Sequence, residues 1–182
     1  ERKRVAAVQV RPRQVELFAS RGFAVNQMGS TYAVTLSEFS LKGGQKMQLR
    51  NKIKKARKLG LRVVELGKDV PRDDAWFAKV EQVSTRWLAG KGKKELDFMI
   101  GEIGRPEDHD RRIFLVLDAD EQPLAFITYV PVWGHERPGY LHDLTRRVPE
   151  APAGTMELCN AEAIERFKAE GVQYLHFGFT PF

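Results

Sequence analysis

The chain has 182 residues, of which 42% are apolar and 30% are charged, a composition typical of a folded domain and not of a disordered segment. It contains no run of about 18 apolar residues and does not begin with a signal peptide, so the sequence predicts no membrane-spanning helix. The single cysteine, Cys159, excludes an intrachain disulfide, and together with the four histidines it shows no metal-ligand spacing. We therefore expect neither a metal site nor a cofactor.

Periodicity and turn residues predict a regular order of strands and helices along the chain. The predicted strands span residues 5–10, 23–25, 32–36, 61–66, 96–101, 113–117, 124–132, 140–144 and 174–177. The predicted helices span residues 12–21, 41–60, 75–88 and 154–170. Residues 145–154 are predicted to be irregular because Pro149 and Pro152 interrupt them. A strand meander followed by alternating strands and helices predicts an α/β or α+β fold with helices on the faces of one sheet.

The helix predicted at 41–60 carries the excess positive charge of the chain. It holds eight Lys and Arg residues, more than the net charge of +6, and no Asp or Glu lies between Phe39 and Val64. At about 100° per residue, Leu49, Ile53 and Ala56 share a narrow arc that we expect to dock on the core. The basic residues on a separate, broader arc are Lys42, Lys46, Arg50, Lys54, Arg57 and Lys58.

This one-sided charge has two interpretations. A solvated surface helix normally mixes acidic and basic residues to form i,i+4 ion pairs, and this segment has no acidic residue. We therefore expect a polyanionic partner, either the phosphates of a nucleic acid or an anionic membrane surface. A basic face without any partner is the alternative, and charge alone does not choose among the three.

Three segments, at residues 39–60, 83–102 and 140–181, carry recognisable motifs. They resemble segments of the phosphatidylglycerol lysyltransferases and their alanyl counterparts. The first is FSLKGGQKMQLRNKIKKARKLG, which is similar to the Phe-Ser-Leu, Leu-Arg-Asn and basic-helix segment of that family. The second, VSTRWLAGKGKKELDFMIGE, resembles its Ser-x-x-Trp-Leu and Glu-x-x-Phe pattern. The third is YLHDLTRRVPEAPAGTMELCNAEAIERFKAEGVQYLHFGFTP, in which the arginine pair and the Pro-x-Ala-Pro-x-Gly-x-Met spacing are the most specific signal.

The resemblance implies a catalytic region of two acetyltransferase-like (GNAT-type) lobes at the cytoplasmic face of the cell membrane. Residues 1–36 would end the first lobe and residues 37–182 would form most of the second. Such enzymes transfer an amino acid, lysine or alanine, from aminoacyl-tRNA to the glycerol hydroxyl of phosphatidylglycerol. The expected partners are therefore aminoacyl-tRNA, an anionic phospholipid and, peripherally, the membrane surface. We also expect an N-terminal membrane or first-lobe region in addition to this chain.

The resemblance also suggests which residues act. The basic helix would contact tRNA through Lys42, Lys46, Arg50, Lys54, Lys55, Arg57 and Lys58. Arg146 and Arg147 would form a planar grip on a phosphate of the tRNA terminus or the lipid. Asp143 would orient one arginine or accept the proton of the attacking hydroxyl. An ordinary Asp–Arg pair that braces a loop is an equal alternative.

Four further residues are candidates for substrate binding. Glu95 would bind the cationic donor amino acid, although an ion pair with a neighbouring lysine is an alternative. Gly154 and Thr155 open a helix whose free N–H groups would receive a phosphate or carbonyl oxygen, and simple capping is the alternative. Trp133 would line a lipid entrance unless it belongs to the core.

The sequence is compatible with two rival functions. An acyl-CoA-dependent N-acyltransferase of the same fold typically has a Gly-rich turn that holds pyrophosphate, whereas the comparable segment here is RRVPEAPAG. A non-catalytic RNA-binding or membrane-surface module would use the basic helix alone. Such a module would leave the block from Arg146 to Met156 unexplained.

Overall fold

The computed structural model describes residues 5–8, 10–91, 101–134 and 136–181. The helices are α1 (Val15–Ala19), α2 (Met47–Lys58), α3 (Asp74–Lys91) and α4 (Thr155–Ala169), and short 3-10 turns at Pro12–Gln14 and Gly44–Lys46 precede α1 and α2. The strands are β1 (Gly29–Thr35), β2 (Arg62–Glu65), β3 (Arg112–Leu117), β4 (Pro123–Val132), β5 (Gly139–Arg147) and β6 (Tyr174–Pro181). The predicted fold class, a mixed α/β sheet with flanking helices, is confirmed.

The chain divides into two compact units. The smaller contains Glu1–Ser30 with Phe179–Phe182, and the larger contains Thr31–Gly178. In the smaller unit, α1 is followed by Phe23, whose ring packs edge-on against Phe18 with centroids 5.5 Å apart. The assignment of residues 1–36 and 37–182 to two acetyltransferase-like lobes stays a prediction.

The six strands form one sheet in the order β1-β6-β5-β4-β3-β2. From β2 to β5 each strand pairs antiparallel with the next along the chain, and β3, β4 and β5 form a meander. Helix α4 then carries the chain back to β6, which runs parallel to β5 and pairs with it from Gly139 to Leu141. A parallel neighbour requires such a crossover because a tight turn can only reverse the chain.

The two faces of the sheet carry different helices. On one face Phe167 of α4 packs on Phe114 and Tyr129, and the Tyr129 hydroxyl donates to Asn160 Oδ1 at 3.0 Å. Helix α2 packs against α4 and buries Ile53 and Ala56. The predicted docking arc of α2 is thereby confirmed, with Leu49 partly buried at its edge.

Helix α3 covers the opposite face. It packs on β4 and β5 and buries Phe77, Val80 and Val83 at helical spacing. Asp73 caps its first turn, because the backbone N–H of Trp76 donates to Asp73 Oδ1 at 3.0 Å. Each face of the sheet therefore has its own apolar layer, and the central strands are buried on both sides.

A β-bulge in β5 changes which side chains share a face. Thr145 lies opposite Ile127 and His142 lies opposite Tyr129, so two residues of β5, Asp143 and Leu144, lie opposite Thr128. Directly opposed residues on antiparallel strands point to the same face. The bulge therefore places Asp143 on the face of Thr128, which α3 covers.

Three predicted elements are wrong or displaced. Residues 5–8 and 10 are not in a strand, and neither are residues 23–25. Strand β5 continues through Arg147, so both arginines lie within a strand and not in the irregular segment predicted from residue 145. The strand predicted at 96–101 falls almost entirely outside the described residues.

Candidate active site

Asp143 lies at the bulge with its carboxylate held by two donors. Arg111 Nη1 donates to Asp143 Oδ2 at 2.6 Å, and the Thr128 hydroxyl lies 3.5 Å from the same oxygen. Thr128 also accepts the Leu144 backbone N–H at 3.0 Å, so the bulge itself orients this hydroxyl. The Asp143 side chain keeps 19% of its surface exposed, so it is not fully buried.

Arg111 connects Asp143 to the segment around residue 102. Its Nη1 also donates to the backbone oxygen of Glu102 at 2.9 Å, and its Nε lies 3.6 Å from Asp108 Oδ2. A Cβ atom on Gly101 would lie 2.5 Å from Asp143 Oδ1, so only glycine permits this approach of the backbone to the carboxylate. The position of the Asp143 carboxylate is thus fixed both by the bulge in β5 and by the segment that contains Gly101 and Arg111.

Arg146 lies on the same face of the sheet as Asp143, which is the face that α3 covers. This agrees with its pairing opposite Phe126. Its side chain is only 4% exposed, its Nη1 donates to the Ser84 hydroxyl, and its guanidinium lies 5.0 Å from the ring centroid of Trp87. A stacked, hydrogen-bonded guanidinium has little rotational freedom. Asp143 and Arg146 therefore present an acceptor and a cation on one face of the sheet.

Arg147 points to the opposite face. It lies opposite Ala125 and is exposed, and its charge acts on Glu157 in the first turn of α4. Lys52 of α2 lowers the pKa of the Glu157 carboxyl through a 2.7 Å ion pair, and the charge of Arg147 adds to this shift. The two arginines consequently do not form the single grip that their adjacency suggested. The catalytic role of each arginine stays a prediction.

Gly154 and Thr155 join α4 to α2. Gly154 is the N-cap of α4 with φ +101°, and a Cβ there would lie 2.3 Å from the backbone oxygen of Lys52. Thr155 is 1% exposed, and its hydroxyl donates to the Pro152 backbone oxygen at 2.7 Å. Gly154 is thus packed closely against α2, and the Thr155 hydroxyl is bonded to the preceding loop and not to an N–H group of the helix. Whether the N–H groups of this helix also receive a substrate oxygen stays a prediction.

Gly154→Ala is expected to lower the free energy of unfolding by about 2 kcal/mol or more, because a Cβ adds backbone strain and collides with the α2 backbone. Gly171→Ala is the matched control, since Gly171 also has positive φ (+76°) but no atom lies within 4 Å of its Cβ position. Urea denaturation of both variants measures the difference. Equal losses would mean that the contact between Gly154 and Lys52 is unimportant.

The basic face of α2 is partly neutralised within the protein. Lys52 pairs with Glu157, and Arg57 pairs with Glu162 at 2.6 Å, so α4 supplies the acidic partners that the α2 segment lacks. Arg50 Nη1 donates to the backbone oxygens of Leu41 and Gly43 at 2.5 and 2.6 Å. In the described part of the chain, the exposed lysines without an ion pair in this region are Lys42, Lys46, Lys54, Lys55 and Lys58.

The two remaining candidates lie apart from this centre or beyond the description. Trp133 is 78% exposed in the loop between β4 and β5, so it is not a core residue. Glu95 lies outside the described residues. Within the described ranges no group of three or more His, Cys, Asp and Glu side chains can hold a metal ion, and none of the helices is long and apolar enough to cross a bilayer.

Several residues around Asp143 and Arg146 were not predicted to belong to the site. Arg111 and Thr128 match no local motif, whereas Ser84 is the serine of the Ser-x-x-Trp-Leu pattern but was assigned no role. Trp87 is the tryptophan of the same pattern, and its only predicted place was the core side of its helix. Their participation depends on the pairing of β4 with β5 and on the packing of α3, which no local pattern specifies.

The fold of this chain is shared with a solved structure. The structure of L-PGS from Bacillus licheniformis has the same fold, with a TM-score of 0.79 and 21% identity over 93% of this chain and 50% of that one. Residues 1–182 match the family model described as phosphatidylglycerol lysyltransferase, C-terminal. The chain belongs to this family, which confirms the resemblance inferred from its motifs.

Curated relatives carry related names. The lysylphosphatidylglycerol biosynthesis bifunctional protein LysX of Mycobacterium tuberculosis (strain ATCC 25618 / H37Rv) is 26% identical over 168 residues, which cover 92% of this chain and 14% of LysX. LysX of Nocardia farcinica (strain IFM 10152) is 27% identical over 162 residues, which cover 88% of this chain and 14% of that protein. The chain thus spans a small part of the length of these relatives.

Proposed function

We propose that this domain transfers an amino acid from aminoacyl-tRNA to the glycerol hydroxyl of phosphatidylglycerol, at the inner face of the cell membrane. The observation that carries the proposal is the match of the whole chain to the phosphatidylglycerol lysyltransferase C-terminal family. The names of the LysX relatives, which refer to lysylphosphatidylglycerol biosynthesis, favour lysine as the amino acid. Alanine remains the alternative to be tested.

The proposed reaction needs only positioning and charge stabilisation, because the aminoacyl ester is already activated. The glycerol oxygen attacks the ester carbonyl carbon, and Asp143 accepts the hydroxyl proton as the new C–O bond forms. Arg146 is buried beneath α3, so its positive charge stabilises the negative charge that develops on the carbonyl oxygen through its electric field and not through contact. The C–O bond to the tRNA ribose then breaks, and the ribose oxygen receives the proton from Asp143. These roles are supported by the position of Asp143 and Arg146 on the same face of β5.

The exposed lysines of the α2 region bind the phosphates of tRNA in this proposed function. Phosphates bind such side chains through charge, with no requirement for an apolar surface. A helix that inserts into a bilayer interface instead exposes an apolar face. The apolar arc of α2 is buried against the core, so its free face suits phosphates better than acyl chains.

Trp133 contacts the membrane that holds the lipid in this proposed function. Tryptophan is enriched at membrane interfaces because its ring is apolar while its N–H remains solvated. An exposure of 78% is unusual for such a large side chain and leaves it available for this contact. The membrane association is expected to be peripheral.

Transfer of a labelled amino acid from charged tRNA into phosphatidylglycerol vesicles tests the function with the full-length protein. Lysyl-tRNA is expected to label the lipid, with alanyl-tRNA and labelled acetyl-CoA as parallel donors. Label from acetyl-CoA, with none from either tRNA, would favour the acyl-CoA-dependent rival. Failure of all three donors would overturn the transferase proposal.

Neutralising the exposed lysines tests the tRNA contact separately. Replacing Lys54, Lys55 and Lys58 by Gln is expected to weaken tRNA binding and to reduce the slope of log K against log salt by up to about 0.9 for each lost phosphate contact with duplex. Binding titrations at several salt concentrations measure both effects. The tRNA contact would be contradicted by a slope that stays at the wild-type value.

A further inference from the structure

Two polar side chains of β5, His142 and Thr145, meet next to the bulge, and no step of the reaction proposed above uses them. The His142 Nε2 atom lies 3.2 Å from the Thr145 hydroxyl oxygen, which is within hydrogen-bond distance. The two residues stand immediately before and after Asp143 and Leu144, the pair that forms the bulge. This hydrogen bond therefore spans the bulge.

The contact between His142 and Thr145 depends on the bulge. His142 lies opposite Tyr129 and Thr145 lies opposite Ile127, so both side chains point to the face of the sheet that α4 covers. On a regular strand, residues three apart point to opposite faces and lie about 10 Å apart. The hydrogen bond exists only while the bulge is present, so it stabilises the bulged form of β5 relative to a regular strand.

The His142 ring is held in place by two aromatic neighbours. It packs edge-on against Tyr129, with centroids 5.4 Å apart, and tilted against Phe177, with centroids 5.6 Å apart. Burial lowers the pKa of His142 below its ordinary value of 6.5, so the ring is neutral at neutral pH. A neutral imidazole nitrogen donates to, or accepts from, a hydroxyl, depending on the tautomer. The Thr145 hydroxyl can therefore bond to Nε2 in either tautomer.

The bulge is also supported from the face that α3 covers. The Thr128 hydroxyl accepts the Leu144 backbone N–H at 3.0 Å, and it lies 3.5 Å from Asp143 Oδ2. Loss of the bulge would restore strict alternation along β5 and turn Asp143 to the face of Arg147, away from its partner Arg111. The position of the Asp143 carboxylate therefore depends on which form β5 adopts.

We propose that His142 and Thr145 are positioning residues for amino acid transfer, because their hydrogen bond stabilises the bulge that keeps Asp143 on the face of Arg111 and Arg146. Both side chains lie on the opposite face of β5 from the Asp143 carboxylate, so their effect passes through the backbone of the strand. The role in transfer rests on the proposed function. The stabilisation of the bulge rests on the geometry of β5 alone.

The first test measures the bulge itself in the full-length protein. Thr145→Val removes the hydroxyl and keeps a β-branched shape that suits a strand, whereas Thr145→Ser keeps the hydroxyl. Hydrogen–deuterium exchange of the β5 peptide that contains Leu144 is followed by mass spectrometry. We expect exchange to be about twofold to tenfold faster in Thr145→Val and to stay at the wild-type rate in Thr145→Ser.

Thr31→Val is the matched control, because it removes an exposed threonine hydroxyl from β1, a different strand of the sheet. It is expected to leave the exchange of the β5 peptide unchanged. The proposal would be overturned if the β5 peptide exchanged at the wild-type rate in Thr145→Val, or if Thr31→Val accelerated it equally.

The second test measures transfer from charged tRNA to phosphatidylglycerol vesicles. Thr145→Val and His142→Phe, which keeps a ring against Tyr129 and Phe177, are expected to lower the turnover number by about tenfold or more and to leave KM unchanged, because a misplaced reacting group slows the chemical step. Thr145→Ser is expected to keep the wild-type turnover number. The double variant is expected to be no slower than the slower single variant, since both changes remove the same bond. Additive losses would contradict a shared role.

The positioning role and the transferase function fail in different ways. Without any transfer by the wild type, the proposed function is refuted, and the exchange experiment alone decides whether the hydrogen bond stabilises the bulge. If the wild type transfers the amino acid and Thr145→Val keeps its turnover number, the function stands and the positioning role is refuted.

Discussion

Asp143→Asn is expected to lower the turnover number of amino acid transfer by about 10²- to 10⁴-fold, because the amide cannot accept the hydroxyl proton. Arg146→Lys keeps the positive charge but loses the planar guanidinium that lies over Trp87 and bonds to Ser84. Its turnover is expected to fall by about 10²-fold or more. Single-turnover transfer from charged tRNA to lipid measures both variants.

Arg147→Ala tests which face of β5 takes part in the reaction, because Arg147, which was also predicted to be catalytic, lies on the other face and is exposed. We expect it to raise the KM for tRNA and to change the turnover number little. Thermal unfolding of all three variants establishes that the fold is retained. The assignment of the reaction to the α3 face would be wrong if Arg147→Ala lost turnover while Asp143→Asn kept it.

Arg112→Ala is expected to lower the free energy of unfolding by about 3 kcal/mol or more, because it leaves the buried carboxylate of Glu65 without its main partner. Arg112 donates to both oxygens of Glu65 at 2.7 and 2.9 Å, and the two side chains are 7% and 2% exposed. Its guanidinium also lies 4.5 Å from the ring centroid of Phe167. Denaturant titration measures the loss.

Arg57→Ala serves as the surface control for this ion pair. Its partner Glu162 is one-third exposed and Arg57 itself is 60% exposed, so its removal is expected to change stability by about 1 kcal/mol or less. A double variant with Glu65→Gln and Arg112→Met is expected to be more stable than Arg112→Ala, because it removes the unpaired charge. Similar losses for Arg112→Ala and Arg57→Ala would contradict the role of burial.

The same ion-pair network makes stability depend on pH. Although burial alone would raise the pKa of the Glu170 carboxyl, hydrogen bonds from Arg112 and Lys68 lower it below the ordinary value of 4.5. The folded state therefore binds this proton less readily than the unfolded state, so the stabilisation is present above pH 4.5 and disappears as pH falls through the folded-state pKa. Glu170→Gln is expected to be less stable than the wild type at neutral pH, with the difference shrinking in acid.

Much of the fold could be predicted from local patterns. The helical repeat of Leu49, Ile53 and Ala56 predicted the docked side of α2, and the start of α4 was predicted at Gly154 or Thr155. Both predictions rest on interactions between residues three or four positions apart, which the sequence displays directly. Residues 5–10 and 23–25 alternate like strands as well, but a strand exists only where a neighbouring strand pairs with it.

The candidate site could be predicted only in part. Asp143, Arg146 and Arg147 were recognised from a sequence block, yet their separation onto two faces was not. Strict alternation along β5 would put Asp143 on the same face of the sheet as Arg147. The bulge opposite Thr128 instead puts it on the same face as Arg146. A bulge depends on the register between two strands, and no residue of β5 signals it alone.

The sequence by itself therefore determined the family, the fold class, the helices and the concentration of positive charge on α2. Only the tertiary structure decided that α4 supplies Glu157 and Glu162 to that charge, that Arg111 reaches Asp143, and that Arg146 and Arg147 face different helices. The first set follows from composition and short-range periodicity along one segment. The second depends on contacts between segments far apart in the chain, and these are fixed only when the sheet is paired and its helices are packed.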